Sequence, residues 1–229
     1  MGTDPLQAIT EAAEAMHLPS DAAAVIEEIV TQAPRFLPEF EHVSLSLIGL
    51  GQGVLTLAAT TELAQQFDAL QDATGEGPCL DATTEDETVV MKRAAHEQRW
   101  PHYIPRAVEL GLRSQVGVRL KGQDKRLVAL NLYSTSHEEF DAGSVGVAEH
   151  FAVHAGLALG DVQREEHLTT AIGTRTIIGT AIGILIERYG LNREQAFAYL
   201  TREASHQNRK LRLVAADLVE ASEPGPHAT

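Results

Sequence analysis

Three cations stand close together near the C-terminal end of the chain, at Arg209, Lys210 and Arg212. The apolar spacing that follows predicts a helix whose first turn contains them, where the macrodipole already places about half a positive charge. Cations at that position each cost about 0.3 to 1 kcal/mol at low salt, and a bound anion reverses this cost. The cluster therefore indicates a phosphate site, with Ser205 and Asn208 as neutral donors. The alternative is an ordinary solvated surface.

Cysteine chemistry rests on a single residue, because Cys79 is the only cysteine in the sequence. A thiol that is oxidised to a sulfenic acid is commonly resolved by a second cysteine, which this chain lacks. A lone cysteine also excludes an internal disulfide framework and a multi-cysteine metal cage. Cys79 is therefore either a small core residue, which is the commoner case, or a redox thiol.

Metal and acid–base chemistry have less support. His150 and His154 have i, i+4 spacing on a predicted helix and could share a metal, but no third ligand follows at a recognisable spacing. Ligation of haem by one of the ten histidines is equally unsupported. No nucleophile with its base, no paired acids and no phosphate-binding loop is recognisable, so the sequence favours a non-enzymatic protein. It requires no cofactor and names none.

Three amphipathic helices are predicted to position the basic cluster. Gly190 ends the first, Asn192 with Gln195 forms a capping box for the second, and Asn208 is the expected N-cap of the third. The predicted buried stripes are Ile178, Ala181, Ile182, Leu185 and Tyr189; Ala196, Phe197, Leu200 and Ala204; and Leu211, Val214, Ala215, Leu218 and Val219. Short helices cannot bury such stripes singly, so the three should fold as one bundle.

This segment resembles an ANTAR domain, the three-helix module of transcription antitermination regulators. The agreement runs in one register through Arg175-x-x-Ile178, Ala181-x-Gly183-Ile184-Leu185, Glu187-Arg188-x-Gly190, Ala196-Phe197-x-x-Leu200, Ser205-x-x-Asn208-x-Lys210-Leu211 and Val214-Ala215. The family binds RNA, typically paired small hairpins in a leader transcript, and so prevents a terminator from forming. The residues expected to bind RNA here are Arg175, Arg188, Arg202, Ser205, Asn208, Arg209, Lys210 and Arg212.

One position departs from the family pattern. Ile182 stands where the family usually has lysine, and it lies about two turns from Arg175 on nearly the same side of the helix. Either the bundle has lost one phosphate contact, or this face packs against another helix. Gly179 and Gly183, four residues apart, would permit a close approach of helices.

The charge of the chain is distributed unevenly. The 229 residues carry a net charge of −14, which by itself argues against a nucleic-acid partner. Residues 161–220, however, contain as many basic as acidic side chains, and the cations concentrate between Arg202 and Arg212. The acidic excess lies upstream, so a modest and salt-sensitive affinity for RNA is expected. With neither a run of about 20 apolar residues nor a leader-like N-terminus, the chain is expected to be cytoplasmic.

Upstream of the bundle, strands and helices alternate around two hairpins. Residues 43–47 pair with 54–59, and residues 115–120 pair with 127–133 across a turn at 121–125. Helices are predicted from a cap at Ser20 to a stop at Pro34 and Pro38, over 62–70 and over 103–110, and a short strand over 89–91. This order, without regular βαβ units, indicates an α+β domain on an antiparallel sheet.

The same region resembles the GAF domains that are fused to ANTAR modules in actinobacterial regulators. The resemblance is carried by Gly75-Glu76-Gly77-Pro78-Cys79-Leu80-Asp81-Ala82, Arg99-Trp100-Pro101, Gly111-x-Arg113-Ser114 and Leu130-Asn131-Leu132-Tyr133-Ser134. GAF domains sense small molecules or redox state in a pocket on one face of the sheet, although some only dimerise. Glu76, Cys79, Trp100 and Asn131 are the expected pocket residues. The alternatives are a structural turn at 75–78 and a core role for Trp100.

A nearly continuous helix from residue 143 to about 171 is expected to connect the two modules. Its apolar stripe packs either on its own domain or on a second copy of the chain. The predicted divisions are an extension at 1–19, a sensor at 20–160, an RNA-binding bundle at 161–222 and a disordered tail at 223–229.

These features predict a signal-responsive, RNA-binding antitermination regulator that acts as a homodimer and is not an enzyme. An unidentified small molecule or a redox signal would act on the GAF-like domain. One alternative is a protein–protein adaptor whose bundle no longer binds RNA. A less favoured one is a GAF-type methionine sulfoxide reductase that uses Cys79.

Overall fold

The chain folds into two compact units, Met1–Gln163 and Arg164–Thr229. The computed structural model describes residues 14–17, 19, 21–49, 53–84, 87–121 and 127–222. The predicted tail, the cap at Ser20, most of the N-terminal extension and most of the turn at 121–125 lie outside these residues.

The first unit is an α+β domain built on a five-stranded antiparallel sheet. A 3₁₀ turn, Ala94–His96, precedes its fourth helix. In chain order its elements are α1 (Ala22–Phe36), β1 (His42–Gly49), β2 (Gly53–Ala59), α2 (Glu62–Thr74), α3 (Pro78–Thr84), β3 (Thr88–Met91), α4 (Ile104–Glu109), β4 (Ser114–Leu120), β5 (Leu127–Ser134) and the start of α5 (Ala142–Tyr189).

The strand order is β2-β1-β5-β4-β3, so β5 lies at the centre and connects the two predicted hairpins. Ser44 pairs with Asn131 in β5, and Gly117 of β4 pairs with Asn131 from the other side. This register places residues from three neighbouring strands at one level of the sheet, which positions the polar core described below.

The two faces of the sheet differ in chemistry because side chains alternate along each strand. One face is apolar: Val43, Leu45 and Leu130 pack with α1 and with Phe151 of α5. On the other face Tyr133 packs with Phe67 of α2, beside a row of buried polar side chains. The first face is the main hydrophobic core, and the second contains the polar core.

Helix boundaries in the first unit follow local capping chemistry. The side chain of Asp21 accepts a hydrogen bond from the Ala24 amide at 2.9 Å and so caps α1. Pro34 lies inside that helix and does not end it. Gly75 ends α2 in the left-handed region, and the predicted turn at 75–78 leads into α3, which begins at Pro78.

Helix α5 is 48 residues long and continues through residue 171 to Tyr189. The predicted connector and the first bundle helix are therefore one element. An 18-residue window of α5 has a mean hydropathy of 1.4 and is 11% buried. By length and composition alone, α5 is long and apolar enough to cross a membrane. A single helix of this kind among the described residues is weak evidence for a membrane span.

The second unit is the predicted three-helix bundle. It consists of the end of α5, α6 (Arg193–His206) and α7 (Leu211–Glu220), and Leu185, Leu200 and Val214 are members of its buried core. Gly190 ends α5 with a φ of 63°, and Asn192 and Gln195 form both bonds of the predicted capping box. Each short helix buries only a narrow stripe, so two residues predicted to be buried, Tyr189 and Phe197, are 67% and 48% exposed.

Candidate RNA-binding surface and sensor core

The turn between α6 and α7 carries the basic cluster, and it is built differently from the prediction. Asn208 has a φ of 49°, and the Arg209 amide donates to the Ala204 carbonyl at 2.9 Å. A residue in the left-handed region, followed by a hydrogen bond from the next amide to the carbonyl five residues earlier, is a motif that ends helices at their C-terminus. Asn208 therefore ends α6, and the prediction that it caps α7 is wrong. Lys210 occupies the N-cap position of α7 instead.

The three cations of the cluster are not equivalent. Arg209 donates from Nη1 to the Asp217 carboxylate at 2.6 Å, and this hydrogen bond raises the pKa of the guanidinium. Lys210 and Arg212 are exposed, and no ion pair with another described residue holds either side chain. The first turn of α7 has Leu211, Arg212 and Leu213 and no acidic residue, so two cations remain available at a helix N-terminus.

The other residues expected to bind RNA are distributed over the bundle. Arg188 is exposed in the last turn of α5, and Ser205 is exposed in the last turn of α6. The guanidinium of Arg202 lies 5.7 Å from the centre of the Tyr199 ring, within cation–π range. Arg175 lies on α5 and lines a groove on the side of the bundle.

That groove lies between α5 and α6 and has a volume of about 850 Å³. Ile182 is half-buried, packs against the bundle core and lines the groove. It therefore serves helix packing, as one of the two predicted alternatives proposed. A Cβ atom built at Gly179 or Gly183 meets nothing within 4 Å, so these glycines do not mark a close helix contact among the described residues. The lining residues are Ala171, Thr174, Arg175, Ile178, Gly179, Ile182, Arg193, Glu194 and Phe197.

In the first unit, the candidate sensor core is the polar core of the sheet, which is organised around Asp68, a carboxylate on α2 that is 1% exposed. Five side chains donate hydrogen bonds to it from the polar face of the sheet. The hydroxyls of Ser46 and Thr56 lie 2.6 and 2.7 Å from Oδ2, and the Tyr133 hydroxyl donates to Oδ1. The remaining donors are the Ser44 hydroxyl at 2.9 Å and the Asn131 amide at 3.2 Å. These bonds replace the water that Asp68 loses on burial.

A second group of buried polar side chains lies beside Asp68 and its donors. The amide oxygen of Gln71 accepts from the Cys79 backbone at 2.9 Å and from the Gln115 side chain at 3.3 Å. The Tyr103 hydroxyl donates to Gln115 at 2.8 Å. Burial raises the pKa of Tyr103 well above its usual range, and the charge of Asp68 adds to this effect. The phenol therefore stays a donor at neutral pH.

The four expected pocket residues form hydrogen bonds within the domain, three through their side chains and Cys79 through its backbone amide. Cys79 is fully buried, and burial followed by the charge of Asp68 raises the pKa of its thiol far above the ordinary range. Because thiolates are the reactive form, this environment suits a structural thiol. Trp100 is 3% exposed and donates from its indole nitrogen to Asp81 at 2.9 Å. The Asn131 side-chain oxygen is buried without a partner among the described residues.

Glu76, the fourth of these residues, fastens the loop after α2 to the start of α4. Its carboxylate accepts from the His102 backbone amide at 2.8 Å and from the His102 ring at 2.5 Å. The hydrogen bond from the His102 ring lowers the pKa of Glu76, and burial opposes it to a smaller degree. The loop also packs directly on the sheet, since a Cβ at Gly117 would meet the Pro78 carbonyl oxygen at 2.8 Å.

The predicted histidine pair gains no third ligand. Within the described part of the chain, no group of three or more His, Cys, Asp or Glu side chains is placed to hold a metal ion.

The antiparallel sheet covered by helices, followed by a bundle with an exposed basic turn, defines a two-module protein. A family model of the GAF domain matches residues 19–160, and a family model of the ANTAR domain matches residues 166–219. The chain therefore belongs to the GAF family and carries an ANTAR domain. GAF domains bind small-molecule signals and ANTAR domains bind RNA, so the pairing is that of a regulator.

Solved structures share the fold of the first unit at low sequence identity. A free methionine-R-sulfoxide reductase from Neisseria meningitidis matches with a TM-score of 0.57 and 13% identity, over 72% of this chain and 96% of the other. The GAF domain of an Acinetobacter phosphoenolpyruvate-protein phosphotransferase matches with a TM-score of 0.56 and 14% identity, over 72% and 97%. A bacteriophytochrome from R. palustris matches with a TM-score of 0.62 and 8% identity, over 89% and 47%. A comparison with curated proteins finds no sequence match.

Two important features were not identified from the sequence. Asp68 and Gln71 lie on the helix predicted over 62–70 and just beyond it, where a carboxylate and an amide usually face water. Their three-residue spacing places them on one side of that helix, which was the available signal. Phe197 was assigned to the core, although the adjacent Ala196 already supplies the buried position.

Proposed function

We propose that this protein is a transcription antitermination regulator whose ANTAR domain captures paired hairpins in leader transcripts under the control of its GAF domain. The observation that carries the proposal is the match of both family models in one chain. The sensor is proposed to span residues 20–160 and the RNA-binding bundle residues 161–222.

The start of α7 is the proposed phosphate contact. Lys210 and Arg212 supply charge, and the first amides of the helix supply directed donors. Arg175, Arg188 and Arg202 extend the contact over the bundle. Ser205 and Asn208 are proposed as neutral contacts near the turn, and Arg209 contributes mainly by holding the turn against Asp217.

The sensor core supports control by a small molecule better than control by thiol oxidation. Cys79 is enclosed and its pKa is raised, which disfavours the thiolate that oxidants attack. The buried polar side chains around Asp68 and Gln115 are rich in donors and acceptors, and the Asn131 oxygen lacks a partner among the described residues. A polar ligand that donates a hydrogen bond to this oxygen would change the hydrogen bonds among these buried side chains and so move α2 or α3. The same buried thiol disfavours the reductase alternative, and we propose a non-enzymatic role.

A homodimer is proposed because exposed apolar residues recur along α5. In the first unit Val153 and Leu157 are 43% and 53% exposed, and in the second unit Leu168 and Ile172 are 59% and 66% exposed. Each pair has i, i+4 spacing, which suits pairing with a second helix. Two bundles in one dimer would match the paired hairpins that the family binds. The compartment consistent with this function is the cytoplasm.

The test is recovery of bound RNA from host cells, followed by sequencing. Wild type is compared with a Lys210→Glu/Arg212→Glu variant and with a charge-matched control, Arg35→Glu/Arg106→Glu, in the first unit. The proposal predicts enrichment of leader transcripts with two adjacent hairpins by wild type and control, and loss of enrichment in the α7 variant. Equal enrichment of these transcripts by all three proteins would contradict the proposed contact at α7, and a lack of enrichment by any of them would favour the adaptor alternative.

A further inference from the structure

A short segment, residues 75–84, lies across the polar face of the sheet, and we refer to it as the cover segment. A Cβ at Gly117 would meet the Pro78 carbonyl oxygen at 2.8 Å and the Cys79 amide nitrogen at 3.2 Å, so the start of α3 contacts the sheet through its backbone. Gly117 pairs with Asn131 on the neighbouring strand, and the Cys79 thiol lies within hydrogen-bonding reach of the Asn131 side chain. The cover segment therefore lies over the buried amide whose oxygen has no partner among the described residues.

The cover segment begins with two glycines whose backbone conformations favour glycine. Gly75 has a φ of 65° and Gly77 has a φ of 138°. A Cβ at Gly77 would also meet the Gln71 side-chain oxygen at 2.3 Å, so a larger residue does not fit at this point against α2. Because glycine adopts the widest range of backbone conformations, the chain can rotate at these two positions while α2 stays in place.

Apolar packing holds the cover segment less firmly than it holds the longer helices. Among the described side chains of α3, the buried ones are Pro78, Cys79 and Ala82, and all three are small. Helix α1, by comparison, buries Val25 and Ile29 in the main hydrophobic core. Since the free energy of burial scales with the apolar area removed from water, α3 gains less from packing, and its position depends more on hydrogen bonds.

Two carboxylates fasten the cover segment to the loop that precedes α4. The Glu76 carboxylate accepts from the His102 and Tyr103 backbone amides at 2.8 and 3.3 Å. Asp81 accepts from the Trp100 indole nitrogen at 2.9 Å. Both carboxylate residues are partly exposed to solvent, so water can replace these donors when the segment moves. Few buried apolar contacts and hydrogen bonds within reach of water are the features of segments that open locally.

We infer that the cover segment is a lid that opens about Gly75 and Gly77 while the rest of the first unit stays folded. In the open position it uncovers Asn131 and the polar side chains around Asp68, and a small polar molecule gains access to them. In the closed position the hydrogen bonds to the loop before α4 keep the polar core dry. The inference rests on the proposed role of the first unit as a sensor and adds the route by which the signal molecule reaches its site.

The experiment uses Cys79 as the reporter of opening, because it is the only cysteine in the full chain and is fully buried on α3. The rate at which iodoacetamide alkylates this thiol is measured by mass spectrometry at increasing urea concentrations below the unfolding transition. Opening of a small segment exposes little surface, so its rate depends weakly on urea. Global unfolding exposes a large surface, and alkylation by that route increases steeply with urea.

Two variants release the fastening bonds separately. Trp100→Phe removes the indole donor to Asp81 and keeps an aromatic side chain, and Glu76→Ala removes the acceptor at the start of the cover segment. Ile29→Val is the matched control, because it weakens the main hydrophobic core and leaves the cover segment unchanged. Urea unfolding of each protein gives its global stability, from which the alkylation due to global unfolding is calculated and subtracted.

Wild type is expected to be alkylated at a rate that is nearly independent of urea at low concentrations. Trp100→Phe should raise this rate about 10- to 150-fold, the factor for loss of one hydrogen bond to a charged group. Glu76→Ala should raise it about 3- to 10-fold, because its bonds lie closer to water. Ile29→Val should leave the rate unchanged after the correction for global unfolding.

Wild-type alkylation that is undetectable, or that has the steep urea dependence of global unfolding at every concentration, would overturn the inference. A rate equal to that of wild type in either Trp100→Phe or Glu76→Ala would also overturn it. The measurement involves no RNA, so the proposed antitermination function would stand in each of these cases. Failure of the RNA enrichment would contradict the proposed function, while the alkylation rates would still decide whether the cover segment opens.

Discussion

Arg209 is bound to Asp217 at 2.6 Å within the bundle, so the basic cluster at the α6–α7 turn contains one structural cation and two available ones. The pairing joins the turn to a residue on the second turn of α7. It divides the three cations by role, which neither their spacing nor their charge indicates.

The first prediction concerns this division of roles. Lys210→Ala and Arg212→Ala should each weaken RNA binding and reduce the slope of log affinity against log salt by about 0.7 to 0.9, the effect of one lost phosphate contact. Arg209→Ala should leave the slope nearly unchanged, because its charge is already compensated by Asp217. The measurement is a titration of one recovered hairpin at several salt concentrations. Equal reductions of the slope in all three variants would contradict the assignment.

The second prediction concerns Asp68. Asp68→Ala removes the acceptor of five side-chain donors, four of which are buried, and each buried donor left without a partner costs about 1 to 3 kcal/mol. We expect the free energy of unfolding of the first unit to fall by more than about 3 kcal/mol. Asp72→Ala is the control, since Asp72 accepts from the Val54 amide at an exposed site. A loss no larger than that of the control, measured by urea unfolding, would show that the network is not integral to the fold.

The third prediction is a pH dependence at Glu76. The pKa of this carboxyl is lowered in the folded protein by the hydrogen bond from the His102 ring. A lowered folded pKa means that the stabilisation is present above the unfolded pKa and is lost as the pH falls through the folded value. Glu76→Gln should therefore be less stable than wild type at pH 7, and the difference should shrink below about pH 4.5.

Urea unfolding at pH 7 and at a series of pH values below about 4.5 measures this difference, with Glu109→Gln as an exposed control on α4. If the difference between Glu76→Gln and wild type is the same at every pH, the loop is not fastened by the charged form of Glu76.

The fourth prediction concerns assembly. Wild type is expected to have twice the 24.7 kDa mass of one chain in sedimentation equilibrium. Leu168→Glu/Ile172→Glu places charges on an exposed apolar part of α5 and should yield monomers, because like charges facing each other across a helix pair are unfavourable. Leu55→Glu, at a residue on β2 that is 60% exposed, should remain dimeric. Wild type that is monomeric both with and without RNA would contradict the proposed dimer.

Local patterns in the sequence predicted the fold well, because most of its elements are defined by local chemistry. Alternation over 43–47 gave β1, and the Asn192–Gln195 capping box and Gly190 gave the boundaries of α5 and α6. Asn208 was misassigned because asparagine suits both an N-cap and a left-handed helix end, and only the backbone distinguishes them. The sequence also predicted two helices, one on each side of Gly173, where the structure has the single helix α5. The residue pattern does not distinguish one long helix from two helices that meet end to end.

The candidate site was less predictable because its geometry is not local. The basic residues at 209–212 were visible in the sequence, but the pairing of Arg209 depends on a residue eight positions away. The role of Asp68 depends on three strands that meet only in the folded sheet. The residues at 76, 79, 100 and 131 were predicted to line a pocket. The structure shows the side chains of Glu76, Trp100 and Asn131, and the backbone amide of Cys79, in hydrogen bonds within the domain.

The most direct test of the proposed function is transcription in vitro from a template that carries a recovered leader with its terminator. Added wild-type protein is predicted to increase the fraction of transcripts that pass the terminator, in proportion to occupancy of the hairpins. The Lys210→Glu/Arg212→Glu variant should have no effect at the same concentration, and the Arg35→Glu/Arg106→Glu control should act like wild type. Wild-type protein that occupies the hairpins and leaves termination unchanged would contradict the account.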